Sequence, residues 1–119
     1  MAEEIIVVKE ENFSRLIVQI GVGENQLSSL IKAMLVELSL KGEKNILLDV
    51  TNAKQTDEEI IYSFLVGSRL CKEKKGSLVI TGVNQKVKES ITLAHLNGQF
   101  IIEDSLVDAA EHFLIEEEA

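Results

Sequence analysis

The stretch Ile46-Leu47-Leu48-Asp49-Val50-Thr51-Asn52-Ala53-Lys54-Gln55-Thr56-Asp57-Glu58-Glu59-Ile60 decides how this chain folds. Its apolar residues run together around Asp49 instead of alternating with polar ones, which is the pattern of a central parallel strand covered on both faces. A short polar loop follows. Thr56 and Glu59 then fit Thr-x-x-Glu, in which the hydroxyl accepts from a free amide of the first turn and the carboxylate returns the bond. A helix is therefore predicted to begin at about Thr56. Asp49 is unusual among apolar neighbours, and the loop behind it offers hydrogen bonds that would satisfy it.

Working outward, Ile5 to Val8 and Leu16 to Ile20 read as strands joined by the turn-like residues 10–14, so the chain opens with an antiparallel hairpin. Asn25 is the predicted cap of a helix from about Gln26 to Lys41, in which Leu27, Leu30, Ile31, Met34, Leu35 and Leu38 share one face. Gly42 supplies a left-handed stop. The second helix is predicted to run from about Asp57 to Lys75, with Ile60, Ile61, Phe64, Leu65, Ser68 and Cys71 inward and Gly76 ending it. Gly67 inside that helix points to close packing against a neighbour. Leu78 to Thr81 is a short strand, and Asn84 caps a third helix to about Leu96, with Val87, Ile91 and Ala94 inward. Phe100 to Ile102 is the last strand. Asp104 or Ser105 starts a final helix with Leu106, Ala109, Ala110, Phe113 and Leu114 on one face, and its acidic end, 116–119, is expected to fray against the helix dipole.

Helices alternating with strands behind an opening hairpin imply right-handed crossovers. The expected fold is α/β: one domain over 1–119, with a mixed, mostly parallel sheet of about five strands and about four helices. The 119 residues suffice for one core, and 45% hydrophobic with 27% charged residues is a soluble composition. The net charge of −8 repels phosphate backbones and anionic lipid, which argues against nucleic acid and membrane surfaces as partners. The run Lys72, Lys74 and Lys75 reads as complementing a helix end. No apolar stretch approaches the ~18 residues of a membrane span, and acid at Glu3 and Glu4 is unlike a secretory signal. The expected location is the cytoplasm, where a single cysteine, Cys71, stays reduced and packs as a small apolar residue.

Enzyme motifs fail on inspection. Gly21-Val22-Gly23 lacks the third glycine of a dinucleotide loop and carries Glu24 where phosphate would lie. His95 and His112 have no spacing that suggests a metal pair, and nothing pairs either with Cys71 as a nucleophile and base. No cofactor is expected.

The pattern resembles the STAS domain, the family of bacterial anti-sigma-factor antagonists with relatives in stressosomes and transporters. Ile46-Leu47-Leu48-Asp49-Val50-Thr51-Asn52-Ala53, followed after three intervening residues by Asp57, is similar to that family's strand, loop and Asp before its second helix. Lys74 to Ile80, Val87 to Ile91 and Phe100 to Ile102 follow its later segments. The resemblance implies a protein-binding regulatory module and not an enzyme. In the antagonist branch a Ser or Thr directly after that Asp is phosphorylated by a partner kinase, and the added charge weakens docking. Here Asp57-Glu58-Glu59-Ile60 replaces the family's Asp-Ser-Ser-Gly, so Glu58 stands at the phosphoacceptor position and no kinase can switch it.

Two readings of Glu58 stay open. It is either a first-turn acid that favours the helix start by roughly 0.3 to 1 kcal/mol, or a carboxylate that holds the docking surface near its phosphorylated charge. The surface that the resemblance implies is Thr51, Asn52 and Gln55 with Asp57, Glu58, Tyr62 and Ser63. In it Tyr62 is the aromatic anchor and Ser63 a residue facing solvent. The implied partners are a serine/threonine kinase of the anti-sigma type, another STAS chain or the ATPase of a lipid transporter, and a weak homodimer stays open. The alternative is a small-ligand or nucleotide-binding domain using the crevice at the carboxyl ends of the parallel strands.

Overall fold

The apolar run at 46–49 forms the middle strand of a five-stranded sheet whose spatial order is the order of the sequence. The computed structural model of the chain describes residues 5–19, 24–55 and 58–118, and for 24–26 and 115–118 the backbone alone. Its elements are β1 (Ile5–Lys9), β2 (Ser14–Val18), α1 (Glu24–Leu40), β3 (Ile46–Asp49), α2 (Glu59–Glu73), β4 (Leu78–Thr81), α3 (Gln85–Leu93), a 3-10 turn (Asn97–Gln99), β5 (Ile101–Glu103) and α4 (Leu106–Glu118).

β1 and β2 pair antiparallel, with Val7 opposite Leu16, and the remaining strands pair parallel. In β3, Leu47 lies between Arg15 of β2 and Val79 of β4. The expected mixed, mostly parallel sheet with four helices is thus the observed one. Each crossover moves one strand further in the same direction. Right-handed connections that all step the same way must place their helices on one face, and α1, α2 and α3 share a single core there. Leu35 of α1, Phe64 of α2, Ile91 of α3 and Leu48 and Ile80 of the sheet are fully buried in it. α4 follows the last strand and lies on the opposite face. Its Ala109 and Phe113 pack on Leu47 and Val79, and Phe113 stacks on Phe13 at 4.7 Å between ring centroids.

Several expected boundaries are corrected. α1 begins at Glu24, so Asn25 lies within its first turn and is not its cap. α2 begins at Glu59, with helical dihedrals already at Glu58, and it has no side-chain cap there. The proposed cap at Thr56 and the site residue Asp57 lie outside the described residues. Ala94, expected inward, is exposed, as are Leu106 and Leu114 of α4. Asn84 does cap α3, its side chain accepting from the Val87 amide at 2.9 Å, and Ser105 accepts from the Asp108 amide at the start of α4.

Gly67 sits where a Cβ would come within 2.8 Å of Leu35 and 2.9 Å of Leu78, which is the close packing its sequence position implied. Three helices end on the same hydrogen-bond pattern. In α1, α2 and α3 a left-handed residue, respectively Gly42, Lys75 and His95, is followed by an amide that returns to a carbonyl five residues back: Glu43 to Leu38, Gly76 to Cys71 and Leu96 to Ile91. The left-handed position of α2 therefore belongs to Lys75, and Gly76 comes one residue later. Glycine is required there for room, since a Cβ would lie 2.0 Å from the Lys44 carbonyl oxygen.

Candidate functional site

β3 ends at Asp49, whose carboxylate accepts from the Thr51 amide at 3.0 Å, so the loop behind the strand does satisfy it. Thr51 and Asn52 are exposed at the tip of this loop. The chain then turns inward at Gln55, which is buried. Its amide donates to the carbonyls of Val50 at 2.9 Å and Gly82 at 2.8 Å, and its side-chain oxygen accepts from the Asn84 amide at 2.9 Å. Gln55 is thus a bolt between the loops after β3 and β4, and its expected place on the surface is corrected.

Glu58 is exposed where the chain enters α2, and its carbonyl accepts the Ile61 amide. Its carboxylate reaches across to α3 and accepts from the Ser90 hydroxyl at 3.4 Å, a long contact. Tyr62, one turn further along α2, is 61% exposed. Ser63 is the second correction: it is fully buried, its hydroxyl donating to the Ile60 carbonyl one turn back, and it does not face solvent. The structure therefore brings Thr51, Asn52, Glu58 and Tyr62 to the outside and takes Gln55 and Ser63 inside.

The residue that sequence reasoning missed is Ser90. Its signal was present, because Val87 and Ile91 pointing inward turn Ser90 to the flank of α3 nearest α2. Leu93, 81% exposed on the same helix, was also passed over. Cys71 is buried, and burial pushes its thiol up to about 11, so it holds almost no thiolate at neutral pH. His95 is exposed in the left-handed turn after α3, while His112 pairs with Glu103 across α4 and β5, so the two histidines serve separate places. No helix among the described residues is long and apolar enough to cross a membrane.

Comparison of folds narrows the reading. The chain superposes on a Thermotoga maritima protein assigned as an anti-sigma factor antagonist with a TM-score of 0.78 at 16% identity, covering 92% of this chain and 93% of that one. It superposes on a Moorella thermoacetica RsbS variant carrying a serine-to-glutamate substitution with a TM-score of 0.73 at 14% identity, over 98% and 100% of the two chains. A chain from a structure of the stressosome, described as a signal integration and transduction hub, matches at 0.70 and 14% identity over 96% and 100%. The chain has a STAS-like fold. No family model and no curated protein sequence matches it.

Within the STAS-like fold, the loop tip at Thr51 and Asn52 is exposed behind β3, and Glu58 and Tyr62 are exposed one turn apart at the start of α2. α3 is joined to the loop after β3 through Gln55 and Asn84 and to the start of α2 through the Glu58–Ser90 contact.

Proposed function

We propose that this chain is a protein-docking regulatory module without catalytic activity, working in a partner-switching or stressosome-type pathway. The observation that carries the reading is the exposed pair Glu58 and Tyr62 at the start of α2, beside an exposed loop tip. An exposed tyrosine next to polar groups is an economical anchor, since it adds large apolar area at the loss of few rotamers. The fold likeness to an assigned anti-sigma factor antagonist and to stressosome chains supports the same reading. So does the strand order. Open α/β sheets bind small ligands where the order reverses, and the order here never reverses, which works against the crevice alternative.

In this reading Glu58 occupies the phosphoacceptor's place and holds the surface near its phosphorylated charge. The partner is a serine/threonine kinase of the anti-sigma type, another STAS chain or a transporter ATPase, met in the cytoplasm. Parallel affinity capture and titration with the wild type, Tyr62→Ala and Glu58→Ser tests it. The wild type should retain a protein of one of these classes, and Tyr62→Ala should weaken that complex by at least about tenfold, the typical loss at a central aromatic anchor. Unchanged binding by Tyr62→Ala overturns the surface. Glu58→Ser should accept phosphate from, or bind more tightly to, a cognate kinase, and no change in either removes the role given to Glu58.

A further inference from the structure

We propose that Asn84 is a positioning residue for the docking surface: acting through Gln55, it fastens the loop after β3 onto the start of α3, so that the loop tip at Thr51 and Asn52 is held in a fixed place relative to α3. The inference rests on the docking reading for its purpose, while its geometry is independent of any partner.

Asn84 does two jobs with one amide group. Its side-chain oxygen accepts from the Val87 amide and caps α3, and its side-chain nitrogen donates to the Gln55 carbonyl at 2.8 Å. Gln55 answers by accepting from the Asn84 backbone amide. The pair is therefore reciprocal. Both protons of the Gln55 amide are also committed, one to Val50 at the end of β3 and one to Gly82 at the end of β4. A buried glutamine bonded to three backbone groups is held in this geometry, because an alternative rotamer gives up these bonds.

A second contact runs beside the first. Gly82 has φ +87 and lies so near Thr51 that a Cβ would sit 2.3 Å from the threonine hydroxyl and 2.4 Å from its amide. The Val50 amide meanwhile donates to the Thr81 carbonyl at 3.0 Å. The two loops are thus held by backbone contact at their base and by the Gln55–Asn84 pair further out. Only beyond that pair does Glu58 reach Ser90, by a contact too long to hold the helices by itself. The clasp, and not the Glu58–Ser90 contact, ties the loop after β3 to α3.

The capping and clasping roles can be separated. Asn84→Asp keeps an oxygen that caps α3 and has no donor for Gln55, and Asn84→Ser keeps the cap with a hydroxyl one atom shorter than the amide that reaches the Gln55 carbonyl. A residue that serves only as a cap predicts no change outside α3. We expect amide hydrogen exchange, measured by NMR on the full chain, to rise at Thr51–Gln55 and Glu58 by about tenfold in Asn84→Asp and several-fold in Asn84→Ser, the scale of one lost hydrogen bond. Exchange within α3 should stay at the wild-type rate. Gln55→Ala should open the same loop amides, and because it leaves the carbonyl of residue 55 in place for the Asn84 amide, Asn84→Ser added to Gln55→Ala should open them further. Unchanged exchange in the loop, a rise in α3 equal to that in the loop for both Asn84 variants, or no further opening when Asn84→Ser is added to Gln55→Ala would each overturn the clasp. Failure of the docking reading would appear instead as unchanged binding by Tyr62→Ala, with these exchange results unaffected.

Discussion

Gln55→Glu replaces one nitrogen by oxygen, yet it turns two donated hydrogen bonds into two repulsions, because that nitrogen faces the carbonyls of Val50 and Gly82. A carboxyl group there stays protonated in the folded state to a higher pH than in the unfolded chain, where it ionises near 4.3. Its stability is therefore greatest below about pH 4 and falls as pH rises through the two values. At pH 7 we expect Gln55→Glu to lose about 2 to 4 kcal/mol, with much of this regained at pH 4, measured by urea unfolding. Glu43 has the opposite sign. Hydrogen bonds from Lys9, and then from Ser14, hold its carboxyl below the usual range. It contributes stability above the unfolded-state value that is lost as pH falls through the folded one, so Glu43→Gln should flatten the decline of stability below about pH 4.5. At this scale polarity misled the sequence reading. Gln55 and Ser63 were taken for surface residues because they are polar, whereas each is buried with its polar atoms returned to nearby backbone. For Ser63 the helical spacing with Ile60, Gly67 and Cys71 was the better guide, since a hydroxyl bonded to the carbonyl one turn back can enter a core.

At the scale of the element, the helix ends separate conformational need from need for space. Lys75 and His95 adopt left-handed backbone that costs a non-glycine residue about 1 kcal/mol. Lys75→Gly and His95→Gly should each raise stability by up to about 1 kcal/mol, seen as a higher melting temperature. Gly76→Ala should do the reverse and lose about 2 to 4 kcal/mol, because its Cβ meets the backbone of Lys44 and not a movable side chain. Gly67→Ala should lose less, as the atoms it meets are the ends of Leu35 and Leu78. The central parts of the helices were legible from their 3.6-residue period. Their ends were not, since a capping residue type such as Asn25 also occurs at many non-capping positions, and only the path of the chain decides between them. Asn84 was read correctly because a strand stops just before it.

For the whole molecule, the two faces of the sheet are unequal. Three helices share the larger core, and α4 alone covers the other side through Ala109 and Phe113. Phe113→Ala should cost about 3 to 4 kcal/mol and raise proteolysis or hydrogen exchange first in α4, leaving α1 and α2 the last to open. The alternation of elements made the α/β class and the mostly parallel sheet visible in the sequence. It could not reveal that the order of strands never turns back, because each crossover could step either way and still be right-handed.

That order has a consequence for how the protein is made. Each strand from β2 onward pairs with the one synthesised just before it, and α1, α2 and α3 lie down in turn on the same side. As the chain leaves the ribosome, the sheet can extend from one edge without holding a gap for a later segment, and α4 closes the far side last, so the nascent chain need never wait for a distant strand before its next one has a partner.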